Sequence, residues 1–339
     1  MKGPGRRTAL ITGILGQDGT LLAERLLARG DRVVGVARPG AIARARDDPD
    51  RSLVARRCEI HELDIGSPEL ASLVAAVEPG ETYHLAAVHH SSEGASGETP
   101  AVLGAMTAVN FNMAETLART LAERGLESRL LVAASSQIWT PARLEHVVDE
   151  TVAPNPTTFY GKTKTWAMQC LDHFRERFGV HASCAILFNH ESHLRAPAFV
   201  TRKVCLHAAR VARGERSRLR LANIGARVDW TAAQDSVAAM QAIASHERPG
   251  DFVVASGRAR SIRDLLDAAF AAIGVAWQPH VDCDIDRPLP CLVGDSAKAH
   301  RILGWRPTIA FSEMVARMVE RDLRRLDAAP DGGRSSTQS

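Results

Sequence analysis

Tyr160 and Lys164, within Tyr-Gly-Lys-Thr-Lys, stand four residues apart in a stretch of helical character, so both side chains lie on one face. A free phenol ionises at about 10, too high for ready proton exchange near neutrality. A nearby ammonium favours the phenolate, and an oxidised nicotinamide would add to that pull. Such a tyrosine can take a carbinol proton as hydride leaves the same carbon. Ser135, just after an apolar run, offers a second hydroxyl to share the hydrogen bond. The other tyrosine of the chain, Tyr83, lies inside an apparent strand and is expected in the core.

A second set of residues sits near the amino terminus. Gly13, Gly16 and Gly19 punctuate the passage from an apolar strand, Thr8 to Thr12, to an amphipathic helix, Gly19 to Arg29. In that setting Gly13 permits a tight turn, Gly16 a close pyrophosphate, and Gly19 close packing of helix on strand. The free N–H groups of the helix start, around Gln17 and Asp18, would face the phosphates. The next strand, Arg32 to Ala37, ends without the acidic residue that holds a ribose diol. Arg38 follows it instead, which favours the extra phosphate of NADP, with Arg44 and Arg46 in the loop beyond as possible aids. Asp64, ending a third strand, suits either adenine contact or a helix cap.

These residues need a scaffold, and the hydrophobic pattern supplies one. Strands at Ile60 to Ile65, Glu81 to Ala87, Arg129 to Ala134 and His181 to Leu187 alternate with helices at Leu70 to Val77, Thr107 to Arg124 and Tyr160 to Phe178. The alternation predicts an α/β fold, a doubly wound parallel (Rossmann) sheet with a smaller carboxy-terminal substrate lobe. Residues 1–188 would form the dinucleotide-binding domain, with a returning segment near 229–258 that includes strand Asp251 to Ala255. Residues 189–228 and 259–326 would form the lobe, with helices Ser261 to Ile273 and Phe311 to Leu326. The small, polar residues 327–339 read as a disordered tail.

Bulk properties remove other classes. With 42 basic against 39 acidic residues the formal charge is +3, too balanced for a nucleic-acid partner. No apolar run reaches the roughly 18 residues of a membrane span, and no signal-peptide pattern follows the short basic start, so the expectation is a cytoplasmic protein with no membrane partner. Six cysteines show neither CxxC nor metal-ligand spacing and read as reduced core thiols, with no metal site.

With these motifs in hand, the chain resembles the extended short-chain dehydrogenase/reductase family, and within it the GDP-mannose 4,6-dehydratase group. The likeness runs through Ala9-Leu-Ile-Thr-Gly-Ile-Leu-Gly-Gln-Asp-Gly19, Leu85-Ala86-Ala87, Ile186-Leu-Phe-Asn-His-Glu-Ser192, Phe199-Val-Thr-Arg-Lys203, Asp229-Trp230, Gly294-Asp295 and Leu303-Gly304-Trp305. It implies an NADP-dependent enzyme acting on a nucleotide-linked hexose as a homodimer or homotetramer. By the same likeness Leu85, Ala86, Ala87 and His190 would line the cofactor. Asn189 and Lys203 would contact sugar or diphosphate, and Arg227 and Arg287 the phosphates or nucleobase.

The sequence departs from the group in three places. Ser135-Ser136-Gln137 replaces Thr-Ser-Glu in the catalytic segment, Val228 stands where an arginine precedes Asp-Trp, and Arg38-Pro39 replaces paired arginines. In the group's dehydration, C4 is first oxidised and the glutamate then takes the C5 proton. An amide cannot accept that proton. His89 and His90 follow the fourth strand, and an imidazole has a suitable pKa. The group already has a histidine matching His90, so His89 is the new candidate; either may instead be a loop histidine bonded to backbone. The favoured reading is a C4-oxidising, NADP-dependent GDP-hexose dehydratase. Its competitors are a 5,6-dehydratase that leaves an exocyclic alkene, a C4 epimerase or reductase, and a non-catalytic protein that binds NADP and a sugar nucleotide.

Overall fold

The computed structural model describes residues 7–64, 66–89 and 99–328. Ile65, His90 and the tail from 329 onward lie outside the described residues. In chain order the first half runs β1 (Thr8–Thr12), α1 (Gln17–Arg29), β2 (Arg32–Ala37), α2 (Ala41–Asp47), α3 (Ser52–Arg57), β3 (Glu59–Glu62), α4 (Glu69–Val77), β4 (Glu81–His84), α5 (Pro100–Thr107), α6 (Met113–Arg124) and β5 (Arg129–Ser135). There follow β6 (His146–Val148), α7 (Phe159–Phe178), β7 (Ala182–Leu187), β8 (Asn189–Glu191), α8 (Val200–Ala212), β9 (Leu219–Asn223), β10 (Arg227–Ala232) and α9 (Ala233–Ser245). The chain closes with β11 (Asp251–Val254), β12 (Ala259–Ser261), α10 (Ile262–Ala271), β13 (Val281–Ile285), β14 (Leu292–Gly294), α11 (Ala297–Leu303) and α12 (Phe311–Ala328).

Seven parallel strands form the central sheet in the order β11-β7-β5-β4-β1-β2-β3. Alternate residues of each strand face opposite layers: Ala9 and Ile11 join one buried cluster with α1 and α9, and Leu10 joins the other with α4, α6 and α7. The winding reverses between β1 and β4, the place where open α/β sheets bind ligands beyond the strand ends. A third cluster, with Val204, Leu265, Phe270, Met314 and Val319, packs α8, α10 and α12 together. Buried Asp50, paired with Arg321 and Arg325, and the Arg202–Asp322 pair fasten α12 to the rest of the chain.

Several motifs of the resemblance prove to be joints. Asp229 accepts the N–H groups of Ser256 (2.9 Å), Gly257 (3.1 Å) and Gly294 (3.1 Å), so one buried carboxylate ties β10 to the loop after β11 and to the end of β14. Trp230 stacks on Phe311 at 5.6 Å, and the Trp305 indole donates to the Asp235 carbonyl at 2.9 Å.

The element boundaries needed correction. The third strand is Glu59–Glu62, so Asp64 lies past its end rather than closing it, and β4 stops at His84. The last ladder bond runs from Leu85 N–H to the Thr12 carbonyl, and the sheet pairing ends there as Ala86 N–H turns to the Thr12 hydroxyl. Arg44 and Arg46 belong to α2, not to a loop. The expected helix Thr107 to Arg124 contains a π turn, Ala108–Asn112, between α5 and α6. Helix α12 continues to Ala328, beyond the expected start of the tail. Tyr83 is fully buried, as its strand position suggested. Of the six thiols, Cys184, Cys205 and Cys291 are buried, Cys58 and Cys170 half-buried, and Cys283 is exposed, outside the core where it was expected.

Candidate active site

The glycine turn folds as its spacing requires. Gly13 has φ of +74° and donates to the Val36 carbonyl at 2.8 Å; a Cβ there would meet Ala86 N at 2.8 Å, so β1's turn and the segment after β4 touch at the sheet's reversal. A Cβ on Gly19 would come within 2.2 Å of the Gly13 carbonyl oxygen, which keeps α1 against the turn. Around Gly16 a Cβ would meet only the Gly13 oxygen, at 3.1 Å, and no side chain caps the helix start. That leaves room and free donors of the kind an anionic pyrophosphate needs.

Gln17 and Asp18 are engaged with the protein itself. His190 Nε2 lies 2.9 Å from the Asp18 carboxylate, while Gln17 donates to the His190 carbonyl at 3.0 Å and accepts from Ser192 at 2.9 Å. Burial opposes ionisation of Asp18, but His190, with help from Gln17 and Arg195, outweighs it and holds the carboxyl below its usual range. The same pairing raises His190 against its own desolvation. These residues therefore brace the dinucleotide turn against β8. Neighbouring Glu191 is likewise a brace: it is buried, accepts from Thr201 at 2.6 Å, and burial raises its carboxyl despite Arg195.

On β5 and α7 the catalytic candidates converge. Thr158 caps α7 by accepting from Gly161 N–H at 3.0 Å. Gly161 is required because a Cβ would lie 2.1 Å from the Gln137 carbonyl oxygen. This contact seats Tyr160 near Ser135, whose hydroxyl pulls the phenol pKa down. Ser136 is buried in the short turn between them. Lys164, 1% exposed, donates to the Ala133 carbonyl at 2.8 Å with its nitrogen 5.7 Å from the Tyr160 ring centre. Burial lowers the Lys164 ammonium to about 8. Burial also pushes the Tyr160 phenol up to about 12, against the opposing pulls of Ser135 and Arg195. The expected lowering of the phenol is thus reversed in the protein by itself, because desolvation of the anion outweighs a lysine directed at backbone.

Gln137 and His89 meet. The Gln137 amide nitrogen lies 3.1 Å from His89 Nε2, and Thr158 donates to the amide oxygen at 3.3 Å. His89 packs perpendicular to Tyr160 with ring centres 4.6 Å apart, and stacks on Phe199 at 6.0 Å; the Arg195 guanidinium lies over the Phe199 ring at 3.7 Å. Asn110, in the π turn, holds the preceding residue by accepting from Val88 N–H (3.0 Å) and donating to its carbonyl (3.1 Å). Asn110, Thr158, Arg195 and Phe199 were not singled out in the sequence. A polar residue inside the apolar stretch before α6 was the only visible hint of Asn110.

The remaining candidates are spread more widely. Arg38 is exposed just beyond β2, and Asp64 is exposed with its carbonyl accepting from Ser67. Glu62, not an arginine, occupies the N–H groups of Gly40 and Ile42 at 3.0 and 2.8 Å. Asn189 heads β8, exposed, and Lys203 is half-buried on α8 one turn after Phe199. Arg227 pairs with Glu145 and donates to the Ala259 carbonyl at 2.8 Å. It lines a cavity of about 320 Å³ with Leu144, Glu145, Pro288, Leu289 and Cys291, adjoining the segment of Arg287. Arg287 has an exposed side chain and a backbone clamped by Asn223, whose amide donates to its carbonyl at 3.0 Å and accepts its N–H at 3.2 Å.

A doubly wound sheet that brings a glycine turn and a Ser–Tyr–Lys set to one edge defines a short-chain dehydrogenase/reductase architecture. The chain belongs to the GDP-mannose 4,6 dehydratase family, whose model matches residues 10–318, and it is an enzyme of the nucleotide-sugar dehydratase/epimerase class. It is 34% identical over 352 aligned residues to GDP-mannose 4,6-dehydratase of Sinorhizobium fredii (strain HH103), covering 94% of this chain and 97% of that one. The same fold occurs in RMD from Pseudomonas aeruginosa complexed with NADPH (TM-score 0.76, 20% identity, 94% of this chain and 99% of that one). It occurs also in dTDP-glucose 4,6-dehydratase from Bacillus anthracis str. Ames in complex with NAD (TM-score 0.78, 12% identity, 95% and 98%). Among the described residues no helix is long and apolar enough to cross a membrane.

Proposed function

We propose that this protein is an NADP-dependent GDP-hexose dehydratase that begins by oxidising C4 of the sugar. The observation that carries this reading is the Ser135–Tyr160–Lys164 arrangement beside the glycine turn. When bound, the nicotinamide would supply a reversible hydride acceptor. Tyr160 would take the C4 hydroxyl proton, Ser135 would orient that hydroxyl, and Lys164 would add positive charge below the ring. With the phenol at about 12 in the protein alone, the cation of an oxidised cofactor would bring it into range.

Choice of NADP rests on Arg38 and on the absence of an acidic residue at the end of β2. The fold itself admits either dinucleotide, as the two structural neighbours illustrate. Arg227 and Arg287, at and beside one cavity, would hold the diphosphate or base, with Asn189 and Lys203 nearer the sugar. A homodimer or homotetramer is the assembly we expect.

Gln137 favours a second reading, in which C4 oxidation is followed by epimerisation or reduction without loss of water. Mass spectrometry of GDP-mannose, then of other GDP- and UDP-hexoses, incubated with the enzyme and NADP decides between them. Loss of one water establishes dehydration, and a carbonyl trap separates a 4-keto-6-deoxy product from an alkene. An isomer of unchanged mass overturns dehydration.

A further inference from the structure

The contacts of Thr158 favour one orientation of the amide at position 137. Gly161 N–H donates to the Thr158 hydroxyl, that hydroxyl donates to Gln137 Oε1, and the Gln137 NH₂ is thereby turned to His89 Nε2. An NH₂ group only donates. His89 Nε2 must therefore be the acceptor, which places its ring proton on Nδ1. The nitrogen that meets residue 137 is a free base.

We propose that His89 is the catalytic base that takes the C5 proton, and that Gln137 is the positioning residue that holds it neutral; this rests on the C4-oxidation reading above. The imidazole stands perpendicular to the Tyr160 ring with centres 4.6 Å apart, beside the phenol on which the C4 hydroxyl of a sugar would sit, and C5 is the carbon next to C4. Phe199 closes one face of the ring, and Asn110 fixes the backbone just before it. Once C4 is a ketone, the Gln137 NH₂ turns off Nε2, whose one lone pair then takes the C5 proton while the C5–H electron pair moves toward the carbonyl. That pair then forms the C5–C6 double bond as the C6–O bond breaks. The imidazolium returns its proton to the departing hydroxyl, so that water leaves.

A glutamine suits this partner. In the resting site its amide donates to the neutral imidazole; having turned aside for the transfer, it presents its oxygen to accept from the imidazolium. A carboxylate at 137 would instead hold His89 protonated from the outset. The pair is thus an exchanged set, a histidine and its amide in place of one carboxylate.

The test uses the full chain, NADP and GDP-mannose deuterated at C5, following both reduced-nicotinamide absorbance and release of deuterium to solvent. In His89→Gln the absorbance signal persists while deuterium release falls about 10²–10⁴-fold. The double variant His89→Gln/Gln137→Glu regains release by about tenfold or more, because a carboxylate again reaches C5. Release by His89→Gln within about threefold of the parent overturns the proposal, as does a parent that reduces cofactor without releasing deuterium. A parent that never reduces cofactor overturns the C4-oxidation reading and the role of His89 with it. Nitrogen NMR of labelled histidine reads the pair without turnover: an unprotonated Nε2 that moves toward imidazolium in Gln137→Glu is expected, and a protonated Nε2 in the parent overturns it.

Discussion

His190 Nε2 stands 2.9 Å from the Asp18 carboxylate, across 172 residues of sequence, and ties the first turn of α1 to β8. His190→Gln leaves a buried carboxylate with a weaker partner. It should cost about 1–3 kcal/mol in thermal unfolding and raise KM for the dinucleotide more than it lowers kcat. The window follows from the signs. His190 is raised, so its share is fully present below about 6.5 and is lost as pH rises through its folded value; Asp18 is lowered, so its share is lost as pH falls through its folded value. A double-mutant cycle should therefore give more coupling in mild acid than in alkali.

Tyr160→Phe should lower C4 oxidation by about 10²–10⁴ while unfolding stays within about 0.5 kcal/mol of the parent. The readout is the rise of reduced nicotinamide after mixing with sugar nucleotide. Equal loss of folding stability and activity would argue that Tyr160 is a packing residue only.

His84 and Lys164 each add a share to the pH response of stability. Burial, then the Lys164 charge, lowers His84 to about 3, and burial lowers Lys164 to about 8. In both cases the unfolded chain binds more protons than the native one, from about 6.5 down to 3 for His84 and from about 10.4 down to 8 for Lys164. Stability should therefore rise with pH across each window, by up to about 1.4 kcal/mol per unit. Urea titrations at stepped pH check this, and Lys164→Met should flatten the alkaline window.

Arg38→Ala should raise KM for NADP about 10–100-fold, the worth of a charge-assisted contact to a phosphate, and leave KM for NAD nearly unchanged. Parallel steady-state kinetics with the two cofactors measure the ratio. An equal effect on both would remove Arg38 from phosphate recognition.

Gly161→Ala would drive a methyl into the Gln137 carbonyl and should cost about 1–3 kcal/mol, with a larger loss of activity as Tyr160 shifts. Gly104→Ala, with nothing within 4 Å of the new carbon, should be neutral or stabilise by about 0.5–1 kcal/mol. Thermal unfolding of the two variants side by side tests the contrast.

The sheet was legible because buried parallel strands read as short apolar runs and their glycine turns fall at fixed places. Strand ends were less so: β4 stops at His84 because the Thr12 hydroxyl captures Ala86 N–H, a contact between residues 74 apart. Tyr160, Lys164 and Ser135 could be named from spacing and a motif. Their ionisation could not, since Lys164's bond to Ala133 and the desolvation of both groups exist only once β5 and α7 pack. Asn110 showed only as a polar residue in an apolar stretch and Phe199 only as the start of a family motif; each matters through one partner, Val88 or His89, brought to it by the fold. Arg227 and Glu145 are 82 residues apart, and nothing in either segment announced the pair.

The Gly161 contact has an implication for how such a site changes. What α7 rests on is the carbonyl of residue 137, an atom every amino acid possesses, while among the described residues the side chain there hydrogen-bonds only to Thr158 and His89. Position 137 is a socket: its frame is set by main chain, and its fitting can be exchanged without moving the phenol or the lysine. A lineage could replace a carboxylate with an amide there and keep the oxidising half of the chemistry intact, leaving time for a neighbouring ring to take over the other half.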